Sequence, residues 1–322
     1  MLLLALFALF AADTAKPAGE LIIVANKQAA SASIIEVATG KTLATLPVGD
    51  GPHEVAVSRD GRWAVVSNYG AQTPGNSLTL LDLSTLTVAR TIDLGEYRRP
   101  HGAAFIGNTT KLAVTSEATR MVVIVDAATG TVTNAIPTNA PGSHMVGVTA
   151  DGARAWTANI GDGSVSELDL RGETFVRQLP VSTRTEGIGV APDGRSVWVG
   201  SNDQHTVSVV DPATGKVAVV LPSPGFPYRV SISPDGKYAV VPQPEGGAVR
   251  IFDVATRKEL GAVTLAAEPV GTVVSGDGKF AYVSLQGTNE VAVVDLEKRV
   301  EVRRFPAGAG PDGIAVSGYY AR

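Results

Sequence analysis

Apolar residues in this chain come in short runs separated by polar turns, and no stretch repeats them at the spacing of a long amphipathic helix. The runs recur. Seven end on an acidic residue that opens a turn, among them IIEVATGK (34–41), IVDAATGT (124–131), VVDPATGK (209–216) and VVDLEKRV (293–300). The acidic positions are Glu36, Asp82, Asp126, Asp169, Asp211, Asp253 and Asp295, so successive steps are 46, 44, 43, 42, 42 and 42 residues. A period of this length, with short strands inside each unit, predicts a β-propeller.

Each unit starts with an entry that usually carries proline, then a strand, a hairpin turn and a second strand. The turns include SRDGRW (58–63), TADGAR (149–154), APDGRS (191–196) and SPDGKY (233–238). Asp-Gly is a strong hairpin signal because glycine accepts the positive φ that such turns need. A polar loop, the strand with the acidic residue and a fourth strand complete the unit. The first unit is short of one strand: ELIIVAN (20–26) matches a second strand with nothing ahead of it, and GPDGIAVS (310–317) supplies the missing one. The expectation is an all-β, seven-bladed β-propeller with four antiparallel strands per blade, forming a single domain over 20–318. One blade is closed by the N- and C-terminal strands, which leaves no free sheet edge in the ring.

Composition fits this frame. Apolar residues make up 44% and aromatics only 6%, so the core rests on Val, Ala, Leu and Ile. The net charge is −4 and no basic run exceeds two residues, which argues against nucleic acid as a partner. The apolar run Leu2–Ala12 is too short to span a bilayer. It reads as the core of a signal peptide over 1–15, so a periplasmic or secreted monomer without a membrane span is expected. The absence of cysteine excludes disulfides, thiolate metal sites and c-type haem attachment.

From Thr185 to Lys216 the chain reads TEGIGVAPDGRSVWVGSN, then TVSVVDPATGK. This pattern, spread over about residues 20–317, resembles the YVTN-repeat (YncE-like) β-propeller family. The resemblance implies the fold and export, and it implies no single reaction.

Strand order places the start of each first strand and the end of each second strand on one face, here the entry face. The Asp-Gly turns lie on the other, the turn face. Counting seven residues back from the turn Asp or Asn gives one ring position per blade: His53, His101, His144, Glu186, Tyr228 and Val270, with Asp312 matching by motif. Arg184 and Arg229 flank this slot, and Glu117 and Asn202 end second strands on the same face. His205 follows in a loop. Blade two adds two irregular loops, GAQTPGN (70–76) and LGEYRR (94–99), the latter with Arg98 and Arg99. Loops over a rigid frame are where binding residues concentrate.

Several chemistries fit that ring. Each histidine could simply hydrogen-bond a neighbouring blade. His53, His101 and His144, with Glu186 or Glu117 as a carboxylate, could hold one divalent transition metal, since imidazole suits Zn, Cu, Fe and Ni. His101, His144 and Glu186 are the candidate catalytic groups of an acid–base pair without metal. His53, His101, His144, Glu186, Tyr228, Arg229, Arg98 and Arg99 are the candidate ligand contacts. Other features read as structural: Trp156, Trp198 and Tyr282 as packing between blades, the recurring Asp as a turn former, the strand-end Asn as a loop cap. No P-loop, GxSxG, HExxH or EF-hand motif is present.

Two functions follow. The first is an exported binding or scaffold protein that docks a small molecule or protein partner on the entry face. The alternative is a hydrolase or lyase. VSNYG (66–70) and the Pro-His entries also resemble lactonase-like propellers, in which a His or Glu would activate water while Arg98, Arg99, Arg184 or Arg229 polarised the carbonyl.

Overall fold

A computed structural model describes residues 19–318, so the expected signal peptide lies outside the described residues. Twenty-eight strands form seven four-stranded antiparallel sheets, as the periodicity predicts. Blade 1 holds β1 (Leu21–Asn26), β2 (Ser31–Glu36) and β3 (Thr42–Pro47). Blade 2 holds β4 (Pro52–Val57), β5 (Trp63–Asn68), β6 (Ser77–Asp82) and β7 (Thr87–Asp93). Blade 3 is β8 (Pro100–Phe105), β9 (Lys111–Ser116), β10 (Met121–Asp126) and β11 (Thr131–Pro137). Blade 4 is β12 (Ser143–Val148), β13 (Arg154–Asn159), β14 (Ser164–Asp169) and β15 (Thr174–Pro180). Blade 5 is β16 (Thr185–Val190), β17 (Val197–Ser201), β18 (Thr206–Asp211) and β19 (Lys216–Pro222). Blade 6 is β20 (Ser231–Ile232), β21 (Tyr238–Gln243), β22 (Ala248–Asp253) and β23 (Lys258–Thr264). Blade 7 is β24 (Pro269–Val274), β25 (Phe280–Leu285), β26 (Glu290–Asp295) and β27 (Val300–Pro306). The last strand, β28 (Pro311–Val316), pairs with β1 and completes blade 1. Among the described residues there is no helix long and apolar enough to cross a membrane.

The core lies between blades. Second and third strands are almost wholly buried, and outer strands such as β19 alternate exposed and half-buried positions. Trp156, Trp198 and Tyr282 are buried in these layers, in line with a packing role. The turns behave as their residues dictate. In blade 2 the Asp60 carboxylate accepts hydrogen bonds from Ser58 Oγ and the Arg62 N–H, and Gly61 takes a φ of 69°. The recurring Asp does the same at the next turn, with Asp211 accepting the Ala213 N–H at 2.8 Å. The strand-end Asn68 is a cap: its amide donates to Ser77 and Thr79, and its oxygen accepts the Gly49 N–H at 2.9 Å.

Blade 6 departs from the pattern. Its inner strand is two residues long where the others have six. Pro242 in the adjacent β21 has no N–H to give to the ladder, and the contact there reduces to the Tyr228 N–H donating to the Pro242 carbonyl. The freed segment lets Arg229 turn into the channel.

Candidate functional site

The slot residues sit on a recurrent irregularity. In blades 2, 3, 4, 5 and 7 the register against the second strand shifts across the slot, between Pro52 and Val55, Pro100 and Ala103, Ser143 and Met145, Thr185 and Ile188, and Pro269 and Thr272. Blade 1 shows the same shift around Asp312. A bulge breaks strict alternation and re-aims side chains, so the slot residue and its successor need not face opposite ways. That successor is Gly in four blades, at positions 102, 187, 271 and 313, and Met145 in a fifth. At Gly187 an added Cβ would lie 2.7 Å from Arg229 Cα, so glycine there allows neighbouring inner strands to touch. The two remaining blades carry charge instead: Glu54 and Arg229.

These two charges meet. Arg229 reaches from blade 6 to Glu54 in blade 2, with Nε and Nη2 at 2.8 and 2.6 Å from the same carboxylate oxygen. Its Nη1 donates to Glu186 of blade 5 at 3.0 Å. Glu186 also accepts the Asn202 amide and lies 3.4 Å from His144 Nε2 in blade 4. His144 Nδ1 donates to Glu117 of blade 3 at 2.8 Å, and Glu117 accepts the Tyr69 hydroxyl of blade 2 at 3.3 Å. One polar chain thus runs from blade 2 through blades 3, 4, 5 and 6 and back to blade 2. It plugs the channel below the entry face.

The three ring histidines converge on this plug. His53 and His101 have ring centroids 4.8 Å apart at 62°, and His101 and His144 stack at 3.6 Å and 32°. Tyr69 packs against His53 at 4.4 Å. Imidazole lone pairs lie in the ring plane, so stacked rings do not aim them at one point. Among the described residues no three His, Asp or Glu side chains are arranged to hold a metal ion. His144 has both nitrogens turned to carboxylates, and His53 Nδ1 donates to the Gly51 carbonyl at 2.9 Å. His101, 1% exposed, has neither ring nitrogen in a hydrogen bond.

Burial and neighbours set distinct charge states. Burial lowers His53 to about 4. Burial, then the proximity of His144 and His53, holds His101 well below the ordinary histidine value, so both rings are neutral at pH 7. Burial also opposes charge on His144, but its bonds to Glu117 and Glu186 outweigh that and raise it. For Glu186 burial works against ionisation, and His144, Arg229 and Asn202 overcome it, holding the carboxyl down at about 2. Burial dominates at Glu54, which stays raised despite Arg229. Burial and Glu117 push the Tyr69 hydroxyl up to about 12.

The structure therefore brings together His53, His101, His144, Glu117, Glu186 and Arg229, with Tyr228 stacked under the Arg229 guanidinium at 4.3 Å. Val270 and the fully buried Asp312 complete the ring, the latter 3.5 Å from Lys27 Nζ. Other candidates stand outside it. Arg99 braces the blade-two loop, donating to the Gly70 carbonyl at 3.0 Å and lying 4.6 Å over Tyr69. Arg98 is exposed, Arg184 pairs with Asp203 at 3.5 Å, and His205 accepts the Phe226 N–H at 3.3 Å. Glu54 and Tyr69 carry the site and are not slot residues. The signal for Glu54 was its position, a charge where most blades have glycine.

Comparison with protein-family models found no match, and comparison with curated proteins found none. Among solved structures the chain is similar to Kuenenia stuttgartiensis hydrazine synthase, with a TM-score of 0.73 and 20% identity over 84% of this chain and 93% of that one. At that identity the likeness is one of fold: this chain is a seven-bladed β-propeller.

Proposed function

We propose that the chain is an exported propeller of the YVTN-repeat kind that binds a small polar ligand or a protein partner on its entry face. The observation that carries this reading is His101. A buried imidazole with both nitrogens unsatisfied is costly, and a polar group arriving from outside would complete it. The surroundings suit such a visitor. Glu117 and Tyr69 are only partly buried, the loops over 70–76 and 94–99 stand beside them, and the charges beneath are fixed by mutual bonds.

The alternative, lactonase-like hydrolysis, draws on one observation. With Nδ1–H given to Gly51, His53 keeps the Nε2 lone pair as a base. A base near pKa 4 is far from the optimum for work at neutral pH. Glu117 and Glu186 draw His144 toward its charged form, and Arg99, Arg184 and Arg229 are already engaged. Binding is the stronger reading.

The test is a thermal-shift panel of lactones, sugars, amino acids and dicarboxylates on wild type and His101→Phe, which keeps the stack and removes both nitrogens. A compound that stabilises wild type and not the variant, with the unliganded melting temperature unchanged, supports binding at this site. Equal responses in both proteins would end the proposal. Lactone turnover lost in the variant would replace it with hydrolysis.

A further inference from the structure

The blade-1 side of the entry mouth holds a second buried group without hydrogen bonds. Asp312, the slot residue of β28, is fully buried, and among the described residues neither of its carboxylate oxygens accepts a hydrogen bond. The other carboxylates of the plug are satisfied: Glu54 by Arg229, Glu117 by His144 and Tyr69, Glu186 by Arg229 and Asn202. These three share Arg229 and His144, which leaves neither cation for Asp312. Its ionic neighbour is Lys27, in the turn after β1, with Nζ 3.5 Å from Oδ2 and a side chain 37% exposed. A seated charge-assisted hydrogen bond would be shorter, at about 2.7–2.9 Å. His53 stands beside Asp312. A Cβ on Gly313, the next residue along β28, would lie 2.1 Å from the His53 carbonyl, and Asp312 is the charged group that acts most strongly on the His53 ring. With Nδ1–H given to the Gly51 carbonyl, His53 Nε2 is a further acceptor.

We propose that this side of the mouth binds the primary ammonium group of a small amine, with Asp312 as counter-ion, His53 Nε2 as a further acceptor and Lys27 as the side chain that gives way. The amine arrives through the same entry mouth, so its class rests on the entry-face reading. An ammonium has three N–H donors, which matches two carboxylate oxygens and one imidazole nitrogen. A metal ion would need a third ligating side chain, and among the described residues no three His, Asp or Glu are so arranged. Lys27 is itself a primary ammonium on a flexible stem, and it approaches Asp312 without seating on it. It acts as a tethered cover, offsetting the buried charge until a free amine reaches hydrogen-bonding distance and displaces it.

The experiment is calorimetric titration of the whole protein, wild type and Lys27→Ala, with methylammonium, tetramethylammonium and potassium chlorides at constant ionic strength. Lys27→Ala should bind methylammonium about tenfold more tightly than wild type, because a tethered competitor is gone. Tetramethylammonium, which has the charge without N–H donors, and potassium should each bind about tenfold more weakly or worse. Adding Asp312→Asn to Lys27→Ala should remove methylammonium binding. If that protein fails to fold, His53→Phe in the same background should weaken binding about tenfold. A Lys27→Ala protein that binds no methylammonium, binds potassium or tetramethylammonium equally well, or is unmoved by the second substitution would overturn the assignment. The two readings fail separately: dependence on Asp312 decides this one, and the response of His101→Phe to the earlier panel decides the other.

Discussion

Replacing Arg229 by Met should be among the most damaging single changes in the protein. The side chain is 4% exposed and is the cation shared by Glu54 and Glu186. At separations of 2.6 and 3.0 Å each pair carries a bare attraction of about 6 kcal/mol at an effective dielectric of about 20. Most of that offsets desolvation, and truncating one partner of a buried pair costs about 3–5 kcal/mol net because the other charge is stranded. Met keeps the apolar length of the stem, so the loss is electrostatic. For a domain of this size the melting temperature should fall by about 5–8 °C. The cost should also depend on pH. Glu54 is raised even with Arg229 beside it and rises further without it, so its penalty is full above its folded value and fades as pH falls toward the unfolded value of about 4.5. Urea melts at pH 8 and pH 5 would show a larger deficit at pH 8. Adding Glu54→Gln and Glu186→Gln to Arg229→Met should recover more than half of it. A deficit below about 0.5 kcal/mol, the range of ordinary surface changes, or one independent of pH, would refute the reasoning.

The histidines should shape both limbs of the stability profile. His53 and His101 have lowered folded pKa values, so stability falls as pH drops below 6.5 and the unfolded chain takes protons first; His53→Gln should recover on the order of 3 kcal/mol of that loss by pH 4. His144 is raised, so its contribution is whole below 6.5 and lost as pH rises through its folded value; His144→Gln should flatten the alkaline limb, read by denaturant melts across pH. Elemental analysis after dialysis against Zn, Cu and Ca should find no stoichiometric metal on His53, His101 and His144, and one ion per chain that disappears in the triple Ala variant would contradict the stacked geometry. Gly313→Ala should destabilise by about 1–3 kcal/mol or more, since the new Cβ would lie 2.1 Å from the His53 carbonyl; an unchanged melting curve would show that blades 1 and 2 can part freely.

The frame was legible because its signals are local. Asp-Gly turns, acidic strand ends and the mismatch between ELIIVAN and GPDGIAVS each mark a boundary without knowledge of any distant residue. The slot was legible by counting, and it led to His53, His101, His144 and Glu186. What counting could not supply was direction. Glu54 and Arg229 are one residue past the slot, and strict alternation would turn them away from it; a bulge brings in Glu54, and the shortened β20 leaves Arg229 outside the ladder. Their pairing is also 175 residues apart in sequence. The shortened β20 escaped notice for a similar reason, because its cause, Pro242, sits in the neighbouring strand.

The composite blade has a consequence for attachment. β1 begins, and β28 ends, on the turn face, where Gly19 and Gly318 lie beside the blade-two turn at Asp60 and Gly61. Anything joined to either end of the described chain, by a flexible linker or a surface tether, is therefore anchored behind the propeller. The imidazole side then points outward, unobstructed, like the open side of a dish on its mount. Immobilising the protein through one end or the other should give the same orientation, and probes for the two faces can be separated by that choice alone.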